Sequence, residues 1–452
     1  MKKGLFILSL LILALVISIV VACSSYETPL EPTDTTYISY GGMRMRFPVI
    51  RLDTYEGNPL ESRHDWLRGN ISIESAVMEH TQQNMSGRMR GRGNSTWRRG
   101  TDKRPLRFRL DEPGHVLGSP YAHRDWILLA SHFDRSLFRD YFALHLAELM
   151  DGLDFTPSAQ FVHLFVNSEY MGVYQLTDER DIAPGRAMLT FDEDPAVSEY
   201  FLEFDRHSLY SDTAIEGEDY FMVYGRAIDL RWPGSGLRSD GHFKYAHGFV
   251  DNLSRTIRSQ DWDAIKRLID IPSFVDFYIV QELMKNNDIG WFSVFMTIRG
   301  QGEDRKMFMG PVWDFDQSSG NTENRPAGEV RTAELVVSPE GLFAGAYNYW
   351  YRYLLDIPEF YELVARRFAE VVNTEVAAAI QHVRDMYNEY FDDFDLNFQR
   401  HPICLVAPPS WIWILADVTQ EIDSFSGHVE YFLDWLNARV EWFSEHFVPG
   451  SM

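Results

Sequence analysis

The segment between Arg88 and Arg109 constrains this chain most, because it concentrates positive charge in an acidic protein. It contains nine basic side chains and a single acid, Asp102, whereas the whole chain has a formal net charge of −24. Residues 106–110 alternate apolar and basic side chains, and this spacing predicts a strand with one buried face and one charged face. Any fold that contains the segment must present the basic face to water, to acidic side chains or to an anionic ligand.

The composition excludes two broad classes of protein. The chain has 452 residues, of which 45% are hydrophobic, so wholesale disorder is excluded. Its 66 acidic and 42 basic side chains exclude nucleic acid as the main partner, because a phosphate backbone requires a basic binding surface. A chain of this length can form one large domain or about two to three smaller ones.

The N-terminus has the pattern of an export signal. Two lysines precede an apolar run from Gly4 to Ala22, as in a signal peptide. The run ends in VVAC, which resembles the bacterial lipobox, where the cysteine is lipidated after cleavage. The sequence therefore predicts a signal peptide over residues 1–22, a lipid anchor on Cys23 and a tether over residues 23–45. An uncleaved membrane anchor and an ordinary signal peptide are the alternatives.

The first part of the mature chain has strand-like patterns. Between Phe47 and Leu176, short alternating segments bounded by turn residues predict strands. One helix is predicted among them, from Arg135 to Met150, with Asp134 as its N-cap.

The rest of the chain has mostly helical patterns. From about residue 181 onward, apolar residues recur at helical spacing and aromatic side chains are frequent. Ser273 and Asp276 have the spacing of a capping box before an apolar run. The sequence therefore predicts an α+β fold with a strand-rich lobe over residues 46–180, a larger and mostly helical lobe over residues 181–450, and a cleft between them.

The basic segment is a candidate phosphate-binding site. It includes the sequence RGRGNSTW, beginning at Arg90, in which glycines allow close approach of the backbone and consecutive N–H groups can cradle a phosphate. Arg107 and Arg109 share one face of the predicted strand, so both could contact one anion. The alternative is a basic hairpin that is solvated or paired with the excess of acids.

Asp288, Asp314 and Asp316 are candidates for a metal site. A strand over residues 291–298, a turn and a returning strand predict a hairpin that brings Asp288 and Asp314 to the same open end. In an extended backbone Asp314 and Asp316 would face one way, with Phe315 opposite. Carboxylates this close repel each other unless a cation joins them, and Mg²⁺ prefers one or two carboxylates plus phosphate oxygens. The alternative is a loop of capping aspartates.

A basic glycine-rich turn beside a carboxylate hairpin fits the requirements of phosphoryl transfer. Basic groups hold the phosphates, carboxylates hold the metal, and a further carboxylate nearby could accept a proton from a hydroxyl. Another acidic group comprises residues 192–194 with Glu199, Glu203 and Asp205, and its composition favours a solvated face. Since Glu203 and Asp205 alternate with apolar residues, they could instead line a cleft.

Several blocks of the sequence resemble the CotH (spore coat protein H) kinase family. They are RGRGNSTW from Arg90, KRPLRF from Lys103, DWILLA from Asp125, DRSLFR from Asp134, GVYQL from Gly172, ELMKNND from Glu282 and GPVWDFD from Gly310, followed by Gly320-Asn321. The likeness runs in order from about Phe47 to Phe447, and its first and last blocks are the most specific.

The resemblance implies a bilobal, atypical protein-kinase-like fold that transfers phosphate from ATP, with Mg²⁺, to Ser or Thr. It implies that Asp288 is catalytic and that Asp314 binds the metal, with Asp316 and Asn321 as further metal-binding residues. On the same basis the nucleotide-binding residues are Arg90, Arg92, Gly93, Asn94, Ser95, Lys103, Arg107 and Arg109. Arg107 or Arg109 is favoured among them as the cation that grips phosphate.

The resemblance also implies a hinge near adenine at residues 176–179. Ser293 is the nearest equivalent of an Asn that some members carry after the catalytic Asp, so the chain departs from the family there.

The sequence as a whole favours an extracytoplasmic kinase that is anchored to a bacterial membrane through lipidated Cys23. It would act as a monomer on a protein at the cell or spore surface. Two alternatives stay open: a non-catalytic surface-binding (adhesin) or coat-morphogenesis protein, and a kinase for a glycan or a small molecule.

Overall fold

The computed structural model describes residues 37–98, 103–324, 335–403, 414–415 and 421–451. The predicted signal peptide, Cys23 and most of the predicted tether lie outside these ranges. The end of the predicted tether is described, and it is folded: β1 (Ile38–Tyr40) and β2 (Met43–Met45) pair as a short antiparallel hairpin. Ile38 and Met45 of this hairpin are buried in a small cluster with Phe165.

Seven strands between residues 49 and 178 form a closed barrel. They are β3 (Val49–Thr54), β4 (Leu67–Glu74), β5 (Gln82–Gly91), β6 (Leu106–Gly114), β7 (His123–Leu129), β8 (Gln160–Val166) and β9 (Glu169–Asp178). Their order around the barrel is β3-β4-β5-β6-β7-β9-β8. The barrel closes where β8 pairs parallel with β3, and its other neighbouring pairs are antiparallel.

Alternating side chains fill the barrel, as the sequence predicts for β6. Leu106, Phe108 and Leu110 point inward and are buried in the barrel core, whereas Arg107 and Arg109 point outward. Each strand thus exposes one face outside the barrel, where the second half of the chain packs against part of it.

The second half of the chain combines a sheet with helices. The antiparallel sheet contains β10 (Tyr200–Phe204), β11 (Tyr220–Val223), β12 (Arg226–Trp232), β13 (Val294–Arg299) and β14 (Lys306–Met309), in the order β11-β12-β10-β13-β14. An α+β fold is therefore confirmed. The sequence does not predict the barrel closure or the pairing of β10 with β13, because both join distant segments. The local hairpin of β11 and β12 is also missing from the prediction.

The longer helices contribute, together with this sheet, to the largest apolar core of the described residues. They are α1 (Arg139–Glu148), α2 (Asp240–Ser259), α3 (Trp262–Leu268), α4 (Ile271–Met284), α5 (Pro358–Val371), α6 (Ala377–Glu389), α7 (Phe391–Arg400) and α8 (Phe425–His446). Shorter helices are Ser95–Arg98, Ala344–Tyr347 and Tyr351–Leu354. Among the helices in the described ranges, none has both the length and the apolar character needed to cross a lipid bilayer.

The start of α1 differs from the prediction. Asp134 does cap the main chain, but its carboxylate accepts hydrogen bonds from the N–H groups of Ser136 at 3.0 Å and Arg139 at 2.8 Å. Between them Leu137 has a φ of +64°, which a helix cannot contain. The carboxylate therefore holds an irregular turn, and the helix begins at Arg139 rather than at Arg135.

The start of α4 also differs, because Ser273 and Asp276 do not form a capping box. Asp270 is the N-cap, and its carboxylate accepts a hydrogen bond from the N–H of Ser273 at 2.9 Å. Pro272 lies in the first turn, where its missing N–H costs nothing, and this favours a start at residue 271. Asp276 is buried and pairs with Arg367 instead.

The buried His428 on α8 gives the fold a predicted dependence on pH. Burial, followed by the charges of Arg135 and Arg139, lowers the pKa of His428 to about 4 from an ordinary value of 6.5. Between these values the unfolded chain binds more protons than the folded chain, so stability rises with pH across the window. We therefore expect the protonation of His428 to lower the free energy of unfolding by up to about 3 kcal/mol as the pH falls through this window.

Urea unfolding of wild type and His428→Phe at about pH 7.5 and about pH 4.5 checks this expectation. The variant should lose less stability than wild type on acidification, while the exposed His64→Phe should behave as wild type. An equal loss in His428→Phe and wild type would contradict a buried neutral imidazole.

Candidate active site

A polar cleft of about 300 Å³ lies where the barrel meets the second half of the chain. The barrel side contributes Arg92, Gly93, Asn94, Thr96, Pro105, Leu129, Ala130 and Ser131. The other side contributes Asp140, Arg180, Glu203, Asp205, His207, Arg231, Asp288, Phe292, Ser293, Trp313, Asp314, Asp316 and Gln317. This volume is at the lower end of the range for small-molecule sites, and the lining has far more charge than a typical apolar pocket.

The predicted hairpin brings the three candidate aspartates to this cleft. β13 and β14 pair from Met296 opposite Met309 to Arg299 opposite Lys306, so the chain before β13 and the chain after β14 leave at the same end. Asp288 precedes β13, and Asp314 and Asp316 follow β14. All three line the cleft, and Phe315 between the last two points into the apolar core, as predicted.

The backbone at Asp314 is unusual, although the prediction assumed an extended segment. Asp314 has a φ of +67°, a left-handed conformation that costs a residue with a side chain about 1 kcal/mol or more. Ser293 also has a positive φ, and its hydroxyl donates a hydrogen bond to Asp314 Oδ2 at 3.2 Å. Strained positions of this kind occur often at functional sites, because the surrounding structure must hold them in place.

A fourth carboxylate, which the sequence did not indicate, completes the acidic side of the cleft. Asp140 on α1 accepts a hydrogen bond from the N–H of Phe315 at 2.6 Å, which joins the helix to the Asp314–Asp316 loop. Burial, and then the charge of Asp314, raises the pKa of Asp140 to about 7. Burial, and then Asp314, Asp140 and Asp288, raises the pKa of Asp316 well above its usual value.

These carboxylates fit Mg²⁺ only if the nucleotide supplies part of its coordination. In the described ranges, no three His, Cys, Asp or Glu side chains converge on one metal position. Mg²⁺ is commonly held by one or two carboxylates together with phosphate oxygens and water, so a complete protein cage is not required. The raised pKa values of Asp140 and Asp316 show that negative charge is crowded here, and a bound cation would relieve that repulsion.

Asn321 lies behind Asp316 rather than in the cleft lining. Its side-chain amide donates hydrogen bonds to the carbonyl oxygens of Asp316 at 2.6 Å and Phe133 at 3.0 Å. Asn321 therefore fixes the loop that carries Asp316, and its predicted role as a metal ligand stays a prediction.

Arg92 is the cation of the basic segment that lines the cleft in the described ranges. Burial, followed by the charge of Arg180, lowers the pKa of Arg92 to about 10, so it remains cationic at neutral pH. Both guanidinium groups lie over the indole of Trp313, at 4.1 Å for Arg180 and 5.7 Å for Arg92. Arg180, which the sequence did not indicate, thus adds a second positive charge opposite the carboxylates.

The glycines of RGRGNSTW are required by close packing of the turn. A side chain at Gly91 would place its Cβ 2.1 Å from the indole of Trp97, so the indole can pack there only against glycine. Gly93 has a φ of +88°, and its Cβ would be 2.7 Å from the hydroxyl of Thr96. The turn therefore brings backbone at Gly93 and Asn94 to the cleft, and the short helix Ser95–Arg98 follows it.

The other predicted nucleotide-binding cations lie outside the cleft lining. Arg107 and Arg109 share one face of β6, as predicted, but they donate to Asp125 at 2.8 and 2.7 Å. Arg90 lies beside them on β5. Lys103 is buried over the ring of Tyr174 at 5.1 Å, and burial lowers its pKa to about 7.

The predicted hinge residues lie at the end of β9. Leu176 is buried inside the barrel, and Glu179 forms an ion pair with Arg107 at 3.1 Å. Neither residue belongs to the cleft lining, although Arg180 directly after them does.

Glu203 and Asp205 line the cleft and do not belong to a solvated face. Of the two interpretations of this acidic group, the cleft lining is therefore the correct one for these two residues. Glu203 is buried and forms a close ion pair with Arg231. Asp205 accepts a hydrogen bond from His207 Nδ1 at 2.8 Å, and this contact raises the pKa of His207. Burial raises the pKa of Glu203 to about 7. Glu203 on β10, Asp205 directly after it and Arg231 on β12 therefore give the cleft a second group of titratable side chains.

Comparison with protein families agrees with this arrangement. A family model described as CotH kinase protein matches residues 89–443, which is most of the chain. The match includes both the glycine-rich turn and the aspartate hairpin that line the cleft. Comparison with curated proteins gives no match. The chain therefore belongs to the CotH kinase family.

Proposed function

We propose that this protein is an extracytoplasmic, lipid-anchored kinase that transfers the γ-phosphoryl group of ATP to a Ser or Thr hydroxyl of a surface or spore-coat-type protein. One observation carries the proposal: Asp288, Asp314, Asp316 and Asp140 line a single cleft together with Arg92 and Arg180. Acidic and basic groups in one cleft can hold a metal–nucleotide complex, in which a cation and phosphates bind together. Family membership supports kinase chemistry at the level of the enzyme class.

The bilobal, kinase-like arrangement is part of the proposal, and the cleft between the barrel and the second half of the chain supports it. The barrel corresponds to the N-lobe and supplies the turn at Gly93 and Asn94, and the second half corresponds to the C-lobe and supplies the aspartates. Membrane attachment through Cys23 is part of the proposal and depends on the lipobox-like sequence alone. The acceptor is proposed to be a protein, and the protein is proposed to act as a monomer.

The cleft residues have distinct roles in the proposed reaction. Arg92 and Arg180 bind phosphate oxygens, and Asp314 and Asp316 hold Mg²⁺. Mg²⁺, when bound, neutralises charge on the phosphates. Asp288 accepts the proton of the acceptor hydroxyl as its oxygen bonds to the γ-phosphorus and the bond to the β–γ bridging oxygen breaks.

Calorimetric titration with ATP in the presence and absence of Mg²⁺ tests the nucleotide site. We expect binding that requires the metal and that falls at least about tenfold in Asp314→Asn, because a carboxylate that binds the metal is neutralised. Asp304→Asn is a matched control, since Asp304 is an exposed acid at the opposite end of the same hairpin. Absence of binding with any divalent metal would favour a non-catalytic surface-binding or coat-morphogenesis protein.

A further inference from the structure

Four arginines surround one tryptophan on the outer face of the barrel. Arg88 on β5 lies directly opposite Arg109 on β6, and Arg90 lies directly opposite Arg107. The guanidinium carbons of all four lie over the indole of Trp66, at 5.0, 4.8, 5.4 and 5.8 Å for Arg88, Arg90, Arg107 and Arg109. We call these five residues the Trp66 array. It contains four of the nine basic side chains of the segment.

Without a bound anion, the like charges of the Trp66 array destabilise the folded protein. Like charges that lie directly opposite in neighbouring strands destabilise a sheet, and the array has two such pairs. Stacking on Trp66 offsets part of this cost, since each cation–π contact at an exposed site contributes about 0.5–1 kcal/mol. A barrel with no use for this charge could place any polar side chain at the four positions.

The carboxylates near the Trp66 array neutralise only half of it. Asp125 accepts from both Arg107 and Arg109, and Glu179 pairs with Arg107 at 3.1 Å. In the described ranges, no carboxylate forms an ion pair with Arg88 or Arg90. Asp111 acts on Arg88 and Glu179 acts on Arg90 only at longer range, so both guanidinium groups keep donors for an external anion.

The shortage of hydrogen-bond acceptors is clearest at Arg90. Its Nη1 reaches only the carbonyl oxygen of Gly91, at 3.4 Å, and its Nε is buried without a hydrogen-bond partner. Burial, and then the charge of Arg107, lowers the pKa of Arg90, and the charge of Glu179 offsets only part of this shift. An unsatisfied buried donor of a charged group costs more than a hydrogen bond gains, so a ligand that accepts from it is favoured.

We infer that the Trp66 array binds a phosphate group, either inorganic phosphate or a phosphate monoester, at a site outside the catalytic cleft. A phosphate carries nearly two negative charges and several acceptor oxygens, which match the two guanidinium groups without carboxylate partners. Arginine is suited to this role because its planar group binds phosphate through two donors. The net charge of −24 disfavours an extended polyanion such as nucleic acid, but a single phosphate needs only local positive charge.

The site goes beyond the proposed function and does not require it. The cleft lining includes Arg92 but none of the five members of the Trp66 array. The two sites can therefore be separated by variants that each affect one of them: Asp314→Asn for the cleft and Arg88→Gln for the array.

Calorimetric titration of the full-length protein in detergent tests the inference, with inorganic phosphate and a short phosphoserine peptide as probes. We expect Arg88→Gln to weaken binding of the effective probe about tenfold or more, since a hydrogen-bonded charge contact is lost. Arg124→Gln is the matched control, because Arg124 is an exposed arginine on β7 whose ion pair among the described residues is with the exposed Glu112. Binding of phosphate alone identifies free phosphate as the source, and binding of the peptide alone identifies a phosphorylated protein.

Thermal unfolding gives a second measurement that does not depend on activity. In phosphate-free buffer Arg88→Gln should unfold at or above the wild-type temperature, because one like-charge pair is removed. The effective probe should raise the unfolding temperature of wild type and of Asp314→Asn, but not of Arg88→Gln.

Two results would overturn the inference. Equal probe binding by wild type and Arg88→Gln would show that the array does not hold the anion. A parallel loss of ATP–Mg²⁺ binding in Arg88→Gln would place the array in the nucleotide site. That result would agree with the sequence prediction, in which Arg90, Arg107 and Arg109 bind the nucleotide.

Discussion

Asp288→Asn is expected to lower phosphoryl transfer by about 10²–10⁴-fold, the contribution of a general base, while ATP–Mg²⁺ binding changes much less. The structure favours this separation, because the backbone of Asp288 is fixed independently of its carboxylate. The N–H of Asp288 donates to Asn286 Oδ1 at 3.0 Å, and its carbonyl accepts from Trp291 at 2.9 Å and Phe292 at 3.0 Å. Asparagine keeps the size of the side chain, so the loss should fall on the chemical step.

Transfer of labelled γ-phosphate from ATP to a surface-protein fraction measures the effect of Asp288→Asn. Asp304→Asn serves again as the control and should retain wild-type activity. Equal transfer by wild type and Asp288→Asn would remove Asp288 from the reaction. Label on surface carbohydrate but not on protein would keep the phosphoryl-transfer mechanism and change the acceptor to a glycan.

The sequence predicted those parts of the site that depend on short-range geometry. A hairpin joins Asp288 to Asp314 over a short stretch of chain, so strand spacing alone places both at one end. The outward direction of Arg107 and Arg109 follows from alternation within one strand. The resemblance to the CotH kinase family linked the glycine-rich turn to the aspartates, which lie far apart in the sequence.

Other parts of the site depend on contacts between distant segments. Alternation places Arg107 outward but does not tell which acid it meets, and here that acid is Asp125 on the next strand. Barrel closure pairs β3 with β8, more than a hundred residues apart, and no local pattern encodes it. Asp140 left no distinctive signal, because it follows Arg139 in the first turn of α1, where acids are common on exposed helices as well.

Arg439→Met is expected to lower the free energy of unfolding by about 3–5 kcal/mol, the largest effect on stability among these predictions. Arg439 on α8 and Glu282 on α4 form a fully buried ion pair at 2.7 Å. The Glu282 carboxylate also accepts from the N–H groups of Phe343 at 2.6 Å and Gly345 at 2.8 Å. Without Arg439 the carboxylate stays buried and loses its countercharge, which costs more than the pair itself contributes.

This ion pair matters for the site because α4 ends two residues after Glu282 and leads directly to Asp288. Chemical unfolding of Arg439→Met can be compared with Arg366→Met, which breaks an exposed pair with Glu362 and should cost less than about 1 kcal/mol. The double variant Glu282→Gln with Arg439→Met should recover part of the loss, because the buried charge is removed. A loss of unfolding free energy in Arg439→Met no larger than in Arg366→Met would mean that water or a rearranged side chain compensates the charge of Glu282. In that case α4 would not depend on this ion pair to position Asp288.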